Sequence, residues 1–164
     1  MSIPGKDPHI YRSAGIEHDE KGNPTSDFAI HEQMNAKRYR KLEQVAKEVN
    51  FMRHYGPEDA PVGVIGWGSS KGPVREAVEI LNEEGIKVKA LIPQVLYPIN
   101  TDKLNKFFAG LDKLLVVELS YSKQFLNLLK IQVDLPANTL HYGRSGGKPF
   151  SLTEMLEQIR KACS

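Results

Sequence analysis

The sequence has a single cysteine, Cys163, beside its last residue. One thiol can neither form an intrachain disulfide nor supply the thiolates that hold an iron–sulfur cluster. No apolar run approaches the roughly 20 residues that cross a bilayer, and the first residues lack the apolar stretch of a signal peptide. We therefore expect a cytoplasmic protein without a cluster of its own.

The net charge of the chain is also small. The 22 lysines and arginines nearly balance the 20 acidic residues, which leaves a formal charge of +2. Such a small charge does not favour nucleic acid or an anionic membrane as a partner. The hydrophobic fraction of 40% is typical of globular domains, and 164 residues can bury a core without covalent cross-links.

The N-terminal third divides into two segments of different composition. Residues 1–30 are rich in Gly, Pro, Asp, Asn and Ser and show no periodic apolar face, which predicts an extended arm or linker. Residues 31–56 contain good helix formers with apolar residues near helical spacing, and Gly56-Pro57 supplies a stop signal. This second segment is predicted as one amphipathic helix.

Residues 61–164 alternate between short apolar runs and amphipathic stretches, a pattern typical of parallel strands joined by helices. The fold class predicted is α/β, with a mostly parallel sheet between two helical layers. Ser151 and Glu154 fit a capping box before the last helix. The predicted strands are Val62–Trp67, Val88–Ile92, Lys113–Leu119 and Thr139–Tyr142. The predicted helices are Pro73–Glu84, Thr101–Ala109 with Thr101 as N-cap, Ser122–Leu129 and Leu152–Ala162.

A glycine-rich turn follows the first of these strands, where backbone N–H groups and a helix dipole can hold an anion. The turn lacks the lysine of a Walker A loop, and its glycines are one residue too far apart for a dinucleotide fingerprint. A tight turn that needs glycine for steric reasons is the favoured interpretation, with anion binding as the alternative. The candidate anion-binding residues are Gly68, Ser69, Ser70, Lys71 and Gly72.

Other reactive side chains do not form a recognisable catalytic or metal motif. The acidic block Glu17–Glu20, which contains His18, lacks the ligand spacing of known metal sites. Glu118 ends an apolar strand at the sheet edge where α/β ligand sites gather, but no complementary base or nucleophile accompanies it. It is interpreted as an acceptor for backbone N–H groups or for a partner chain. The sequence therefore assigns no catalytic, cofactor-binding or metal-binding residue.

Three segments together resemble a known family: Tyr11–Pro24, Gly63–Gly72 and Val116–Ser122. The first, which contains Gly-Ile-Glu-His-Asp-Glu and Gly-Asn-Pro, is similar to α subunits of 2-oxoacid:ferredoxin oxidoreductases, in particular the 2-oxoglutarate type. The other two strengthen this similarity and also resemble the C-terminal domain of transketolase-like thiamine enzymes. The resemblance implies a transketolase C-terminal-like domain, preceded by the arm and the helix.

The family resemblance implies a function for the parent enzyme: oxidative decarboxylation of a 2-oxoacid with coenzyme A, giving acyl-CoA, CO2 and reduced ferredoxin. This chain would be a non-catalytic assembly domain in that enzyme. Its partners would be the remaining α-subunit domain and the β subunit. Thiamine pyrophosphate, Mg²⁺ and an iron–sulfur cluster are expected in the parent complex, and ferredoxin and coenzyme A would act through it. A homodimer stays an open alternative.

The polar arm and the end of the Val-Val-Glu strand are predicted to form an assembly surface rather than an active site. A rival function is a stand-alone module that binds a nucleotide or coenzyme A phosphate at Gly68–Gly72. The residues predicted for the assembly surface are Tyr11, Glu17, His18, Asp19, Glu20, Glu118 and Tyr121.

Overall fold

The computed structural model describes residues 3, 5–6, 15–48 and 51–164. The chain forms two compact units, Met1–Glu48 and Val49–Ser164. Within the described ranges, no helix is both long enough and apolar enough to cross a membrane.

The first unit contains helix α1, Phe28–Glu48. Asp27 caps this helix, because its Oδ1 accepts hydrogen bonds from the backbone N–H groups of Ala29 and Ile30 at 2.8 and 3.0 Å. The helix predicted over residues 31–56 therefore begins later and ends later than α1. Residues Met52–Tyr55 form a strand instead.

The predicted extended arm is wrong for residues 15–27, which fold back as a hydrogen-bonded turn. The Asp19 carboxylate accepts backbone N–H bonds from Lys21 and Asn23, and a backbone bridge joins His18 to Pro24. Asp and Asn side chains commonly replace backbone partners in this way. Local side-chain bonds therefore order a segment that has no apolar periodicity. Tyr11 lies outside the described residues.

The second unit contains a five-stranded sheet. Its strands are β1 Met52–Tyr55, β2 Val62–Gly66, β3 Val88–Pro93, β4 Lys113–Glu118 and β5 Thr139–Gly143. They lie in the order β1-β3-β2-β4-β5. All neighbouring pairs are parallel except β1 with β3, which is antiparallel. The predicted α/β class with a mostly parallel sheet is confirmed. The antiparallel strand β1 was not predicted.

Helices cover both faces of the sheet, because each crossover between parallel strands must return across one face. The helices are α2 Lys71–Glu83, α3 Thr101–Phe108, α4 Gln124–Gln132 and α5 Leu152–Cys163. One buried cluster contains side chains of α2 and α5, and the other contains those of α3 and α4. Asn100, rather than the predicted Thr101, caps α3, whereas the capping box of Ser151 and Glu154 at α5 is confirmed.

The turn after β1 contains a glycine that no other residue can replace without movement of the backbone. Gly56 has a φ of +79°, and a Cβ built there would lie 2.3 Å from the carbonyl oxygen of Val88. Gly68 has a φ of +60°, but a Cβ there would meet nothing within 4 Å. A side chain at Gly56 therefore meets both steric overlap and the cost of positive φ, whereas one at Gly68 meets only the cost of positive φ.

We expect Gly56→Ala to lower the free energy of unfolding by about 2–4 kcal/mol, because it adds an overlap with backbone to the cost of positive φ. Gly68→Ala, the matched control, should cost only about 1 kcal/mol. Urea denaturation followed by circular dichroism measures both values. Equal losses would show that the contact with Val88 does not constrain this turn.

Candidate functional site

Two of the candidate segments meet at the carboxyl edge of the sheet. The glycine-rich turn follows β2, and Glu118 ends the adjacent strand β4, with Gly66 paired to Val117 in register. Strand order reverses between β2 and β4, which is where α/β sheets most often open a crevice for ligands. The rings of Trp67 and Phe125 lie 6.3 Å apart at this edge. The topology therefore brings both candidate segments to one place.

The glycine-rich turn consists of a short 3-10 turn, Gly68–Ser70, that leads directly into α2. Ser70 is buried, and its hydroxyl donates a 2.9 Å hydrogen bond to the carbonyl of Trp67. Lys71 and Gly72 begin α2. These contacts fit the favoured tight-turn interpretation, and anion binding by Gly68–Gly72 stays a prediction.

The Glu118 carboxylate is buried and accepts hydrogen bonds from three elements of the fold. Its oxygens lie 2.8 Å from the backbone nitrogen of Phe125 and 3.1 Å from that of Leu126. The Ser120 hydroxyl donates at 2.5 Å, and Nε2 of His141 on β5 lies at 3.2 Å. Glu118 is only 1% exposed. The carboxylate is therefore bonded within this chain.

These bonds complete the amino end of α4, whose own N-cap residue offers no side-chain bond. That residue, Lys123, adopts a left-handed conformation with φ +55°. The first helical N–H, from Gln124, is accepted by the Ser120 hydroxyl at 3.0 Å, and Glu118 accepts the next two. The helix dipole also favours a negative charge at this position. Glu118 thus caps a helix that follows it by six residues.

The pKa of Glu118 lies below its ordinary value of 4.5. Burial alone would raise this pKa, but the hydrogen bonds from Ser120, from the two α4 N–H groups and from His141 outweigh burial and favour the ionised form. A carboxylate held ionised by fixed donors is suited to capping and is a poor proton carrier near neutral pH.

The burial of Glu118 corrects its assignment to the predicted assembly surface, while its alternative interpretation as an acceptor of backbone N–H groups fits the structure. A strand-end glutamate followed by Ser120 is the sequence signal for such a cap, but sequence alone does not reveal the distant donors. Tyr121 is 91% exposed and stays a candidate for that surface.

The acidic block predicted for the assembly surface is largely bonded to α1. Arg38 donates to both carboxylate oxygens of Glu17, at 2.6 and 3.1 Å, and Nδ1 of His31 lies 2.7 Å away. The Arg38 bond is the main reason why the pKa of Glu17 falls to about 2. Glu20 accepts a 3.1 Å bond from Lys37. These side chains fix the turn to its helix.

His18 and Asp19 of the same block also have local partners. His18 Nδ1 lies 2.7 Å from the carbonyl oxygen of Asp19, and the Asp19 carboxylate orders the turn. In the part of the chain that the structure describes, no group of three or more His, Cys, Asp and Glu side chains is arranged to hold a metal ion.

Sequence reasoning missed a basic pocket that lies between the edge of the sheet and α3. Its charged lining includes Lys89 and Lys106, which are distant in sequence, together with His54 on the strand that was predicted as helix. A lysine within the apolar strand β3 was the available signal, because lysine is rarely buried without a partner.

The chain matches the family model described as pyruvate:ferredoxin oxidoreductase core domain II over residues 60–155, more than half of its length. It therefore belongs to this family of α/β core domains. Its relatives include the α subunit of 2-oxoacid:ferredoxin oxidoreductase 2 of Aeropyrum pernix, 28% identical over 90% of this chain. The α subunit of the 2-oxoacid:ferredoxin oxidoreductase of Saccharolobus solfataricus is 31% identical over 89%.

A solved structure of 2-oxoglutarate:ferredoxin oxidoreductase from Magnetococcus marinus, with 2-oxoglutarate, coenzyme A and succinyl-CoA bound, aligns with all of this chain. The TM-score is 0.76, the identity is 32%, and the alignment covers 28% of that chain. The present chain spans 23% of the length of the two curated relatives. The resemblance to α subunits of 2-oxoacid:ferredoxin oxidoreductases is thereby confirmed.

Replacement of Glu118 by glutamine should be costly because the amide nitrogen cannot accept a hydrogen bond, so one of the two buried α4 N–H groups would lose its acceptor. We expect Glu118→Gln to lower the free energy of unfolding at pH 7 by about 2–4 kcal/mol. Glu76→Gln, at an exposed site on α2, should change it by less than about 0.5 kcal/mol. Chemical denaturation at a series of pH values measures both.

The pH dependence follows from the lowered pKa of Glu118. The ionised carboxylate stabilises the fold above its unfolded-state pKa, near 4.5, and this contribution is lost as pH falls through the lower folded-state pKa. The difference between wild type and Glu118→Gln should therefore narrow below about pH 4.5. A difference that is constant from pH 7 to pH 3 would contradict a cap that depends on charge.

Proposed function

We propose that this chain is a non-catalytic assembly domain of the α subunit of a 2-oxoglutarate-type 2-oxoacid:ferredoxin oxidoreductase. The parent enzyme would convert a 2-oxoacid, coenzyme A and oxidised ferredoxin to acyl-CoA, CO2 and reduced ferredoxin. The domain would hold other parts of the enzyme in position and take no direct part in the chemistry. The cytoplasm is the compartment proposed for this enzyme.

The observation that carries the assembly role is the bonding of Glu118. This carboxylate ends β4 at the crevice where α/β enzymes usually place reactive groups, yet its oxygens accept bonds from α4, Ser120 and His141. A carboxylate with these bonds has little capacity left for a substrate or a metal ion. Its geometry supports a structural role at the edge of the sheet.

The proposed partners are the remaining α-subunit domain and the β subunit. The exposed aromatic ring of Tyr121 lies three residues beyond Glu118, and exposed tyrosines are enriched where protein surfaces meet. Thiamine pyrophosphate, Mg²⁺ and an iron–sulfur cluster would be held by the partner chains. Coenzyme A and ferredoxin would likewise act through the assembled complex.

The 2-oxoglutarate type is supported by the similarity to the Magnetococcus marinus enzyme, at 32% identity over the whole of this chain. The names of other relatives specify different acids; one is the ketoisovalerate oxidoreductase subunit of Methanothermobacter thermautotrophicus.

The test of the 2-oxoglutarate type is to assay the assembled enzyme with 2-oxoglutarate, pyruvate and 2-oxoisovalerate and to compare the kcat/KM values. A preference for either of the other acids would overturn the proposed specificity.

The 164-residue chain alone should not bind thiamine pyrophosphate. In calorimetry with Mg²⁺ present, we expect no saturable heat for a Kd below about 10 μM, which corresponds to about −7 kcal/mol. The co-expressed complex serves as the positive control and should bind. Saturable binding by the chain alone in that range would refute the proposed non-catalytic role.

Tyr121 should contribute to assembly. We expect Tyr121→Ala to weaken association with the co-expressed partner chains roughly tenfold, or about 1.4 kcal/mol, because exposed tyrosines often act as anchors. Ile131→Ala, which removes an exposed apolar side chain from the carboxyl end of α4, is the matched control. Quantitative co-purification of variants that are folded by circular dichroism measures the effect. Equal assembly by both variants would remove Tyr121 from the assembly surface.

A further inference from the structure

A pocket of about 220 Å³ lies between β1, β3 and α3 in the second unit. Lys89 of β3 lies in its wall, and the side chain of Phe107 on α3 faces the lysine. The pocket lining contains neither Glu118 nor any residue of the glycine-rich turn. No part of the proposed assembly role accounts for its lining.

Lys89 is the unusual residue of this pocket because it is only 4% exposed. Its ammonium nitrogen donates a 2.9 Å hydrogen bond to the carbonyl oxygen of Glu58 and lies 5.2 Å from the ring centroid of Phe107. No carboxylate among the described residues lies within ion-pair distance of it. An ammonium has three donors, so this one retains capacity for an anionic acceptor.

Two further lysines and a histidine lie around the pocket. Lys103 and Lys106 are three residues apart on α3, so they share a face of that helix, and His54 lies on β1. Among the residues that the structure describes, Glu58 is the single carboxylate of the lining, and it lies 3.9 Å from Lys106. Three lysines against one glutamate give the pocket a net positive charge, which attracts anions.

The remaining lining is apolar and includes Met52, Leu91 and Phe107. The His54 and Phe107 rings meet edge to face, with centroids 5.9 Å apart. Inorganic ions gain little from such walls, whereas an organic molecule buries apolar surface there. The mixture of cations and apolar side chains therefore selects for an anion with a carbon body.

We propose that this pocket binds a small organic anion, with its carboxylate or phosphate oxygens directed at Lys89, Lys103 and Lys106 and its apolar body against Phe107. Carboxylate and phosphate share the chemistry that these lysines recognise, namely anionic oxygens that accept charge-assisted hydrogen bonds.

The electrostatics of the pocket agree with this ligand. Burial lowers the pKa of Lys89, although Glu58 and Asp59 act in the opposite direction. Burial also lowers the pKa of His54, and the nearby Lys89 and Lys106 lower it further against the effect of Glu58. A bound anion stabilises both protonated forms and should raise both pKa values. A lysine with a purely structural role would not show a pKa that rises when the anion binds.

The test titrates the 164-residue chain with phenyl phosphate and benzoate, with inorganic phosphate and benzyl alcohol as probes that each lack one half of the proposed ligand. Binding is followed by amide chemical shifts in NMR, and the pKa of Lys89 by its side-chain carbon resonances. We expect saturable binding of at least one aromatic anion, at least tenfold tighter than either half-ligand, with a raised Lys89 pKa. Comparison of the two anions identifies the preferred head group.

Variants test whether binding depends on the pocket rather than on the rest of the surface. Lys89→Met removes the buried ammonium, and the double variant Lys103→Met/Lys106→Met changes only exposed positions, so it keeps the test valid if the first variant does not fold. The double variant should weaken binding at least tenfold, whereas Lys130→Met, an exposed lysine on α4, should leave it unchanged. Failure of both aromatic anions to bind, or equal binding by the double and control variants, would overturn the proposal.

Discussion

The carboxyl edge of the sheet depends on one buried negative charge. Glu118 links the end of β4 to the first turn of α4, and through His141 it also contacts β5. Burial of a charge is unfavourable unless hydrogen bonds replace the lost water, and here fixed donors and the helix dipole supply that replacement. The position of α4 on the sheet and the ionisation of the carboxylate therefore depend on each other.

This dependence limits the chemistry available at the edge. A switch point between β2 and β4 usually offers a crevice for ligands, and here the side chains of Ser70, Glu118 and Ser120 form hydrogen bonds within the domain. The exposed ring of Tyr121 and the basic pocket around Lys89 remain available for contacts outside the domain.

Much of the fold could be predicted because its signals are local. Periodic apolar residues located four strands and their crossover helices, and Ser151 with Glu154 marked the start of α5. The strand Met52–Tyr55 was missed because its pairing with β3 lies far along the chain and overrides local helix propensity. The burial of Glu118 and of Lys89 depends on donors and walls from distant elements, which no local pattern reveals.

The antiparallel strand β1 has a consequence for how copies of the protein behave in a crowded solution. Without it, the parallel strand β3 would present a row of unpaired backbone groups along its outer side, which is a template for association with another chain. β1 covers that row with only four residues and places the exposed side chains of Arg53 and His54 at the new boundary. A short, polar border of this kind discourages the growth of fibrils from the sheet.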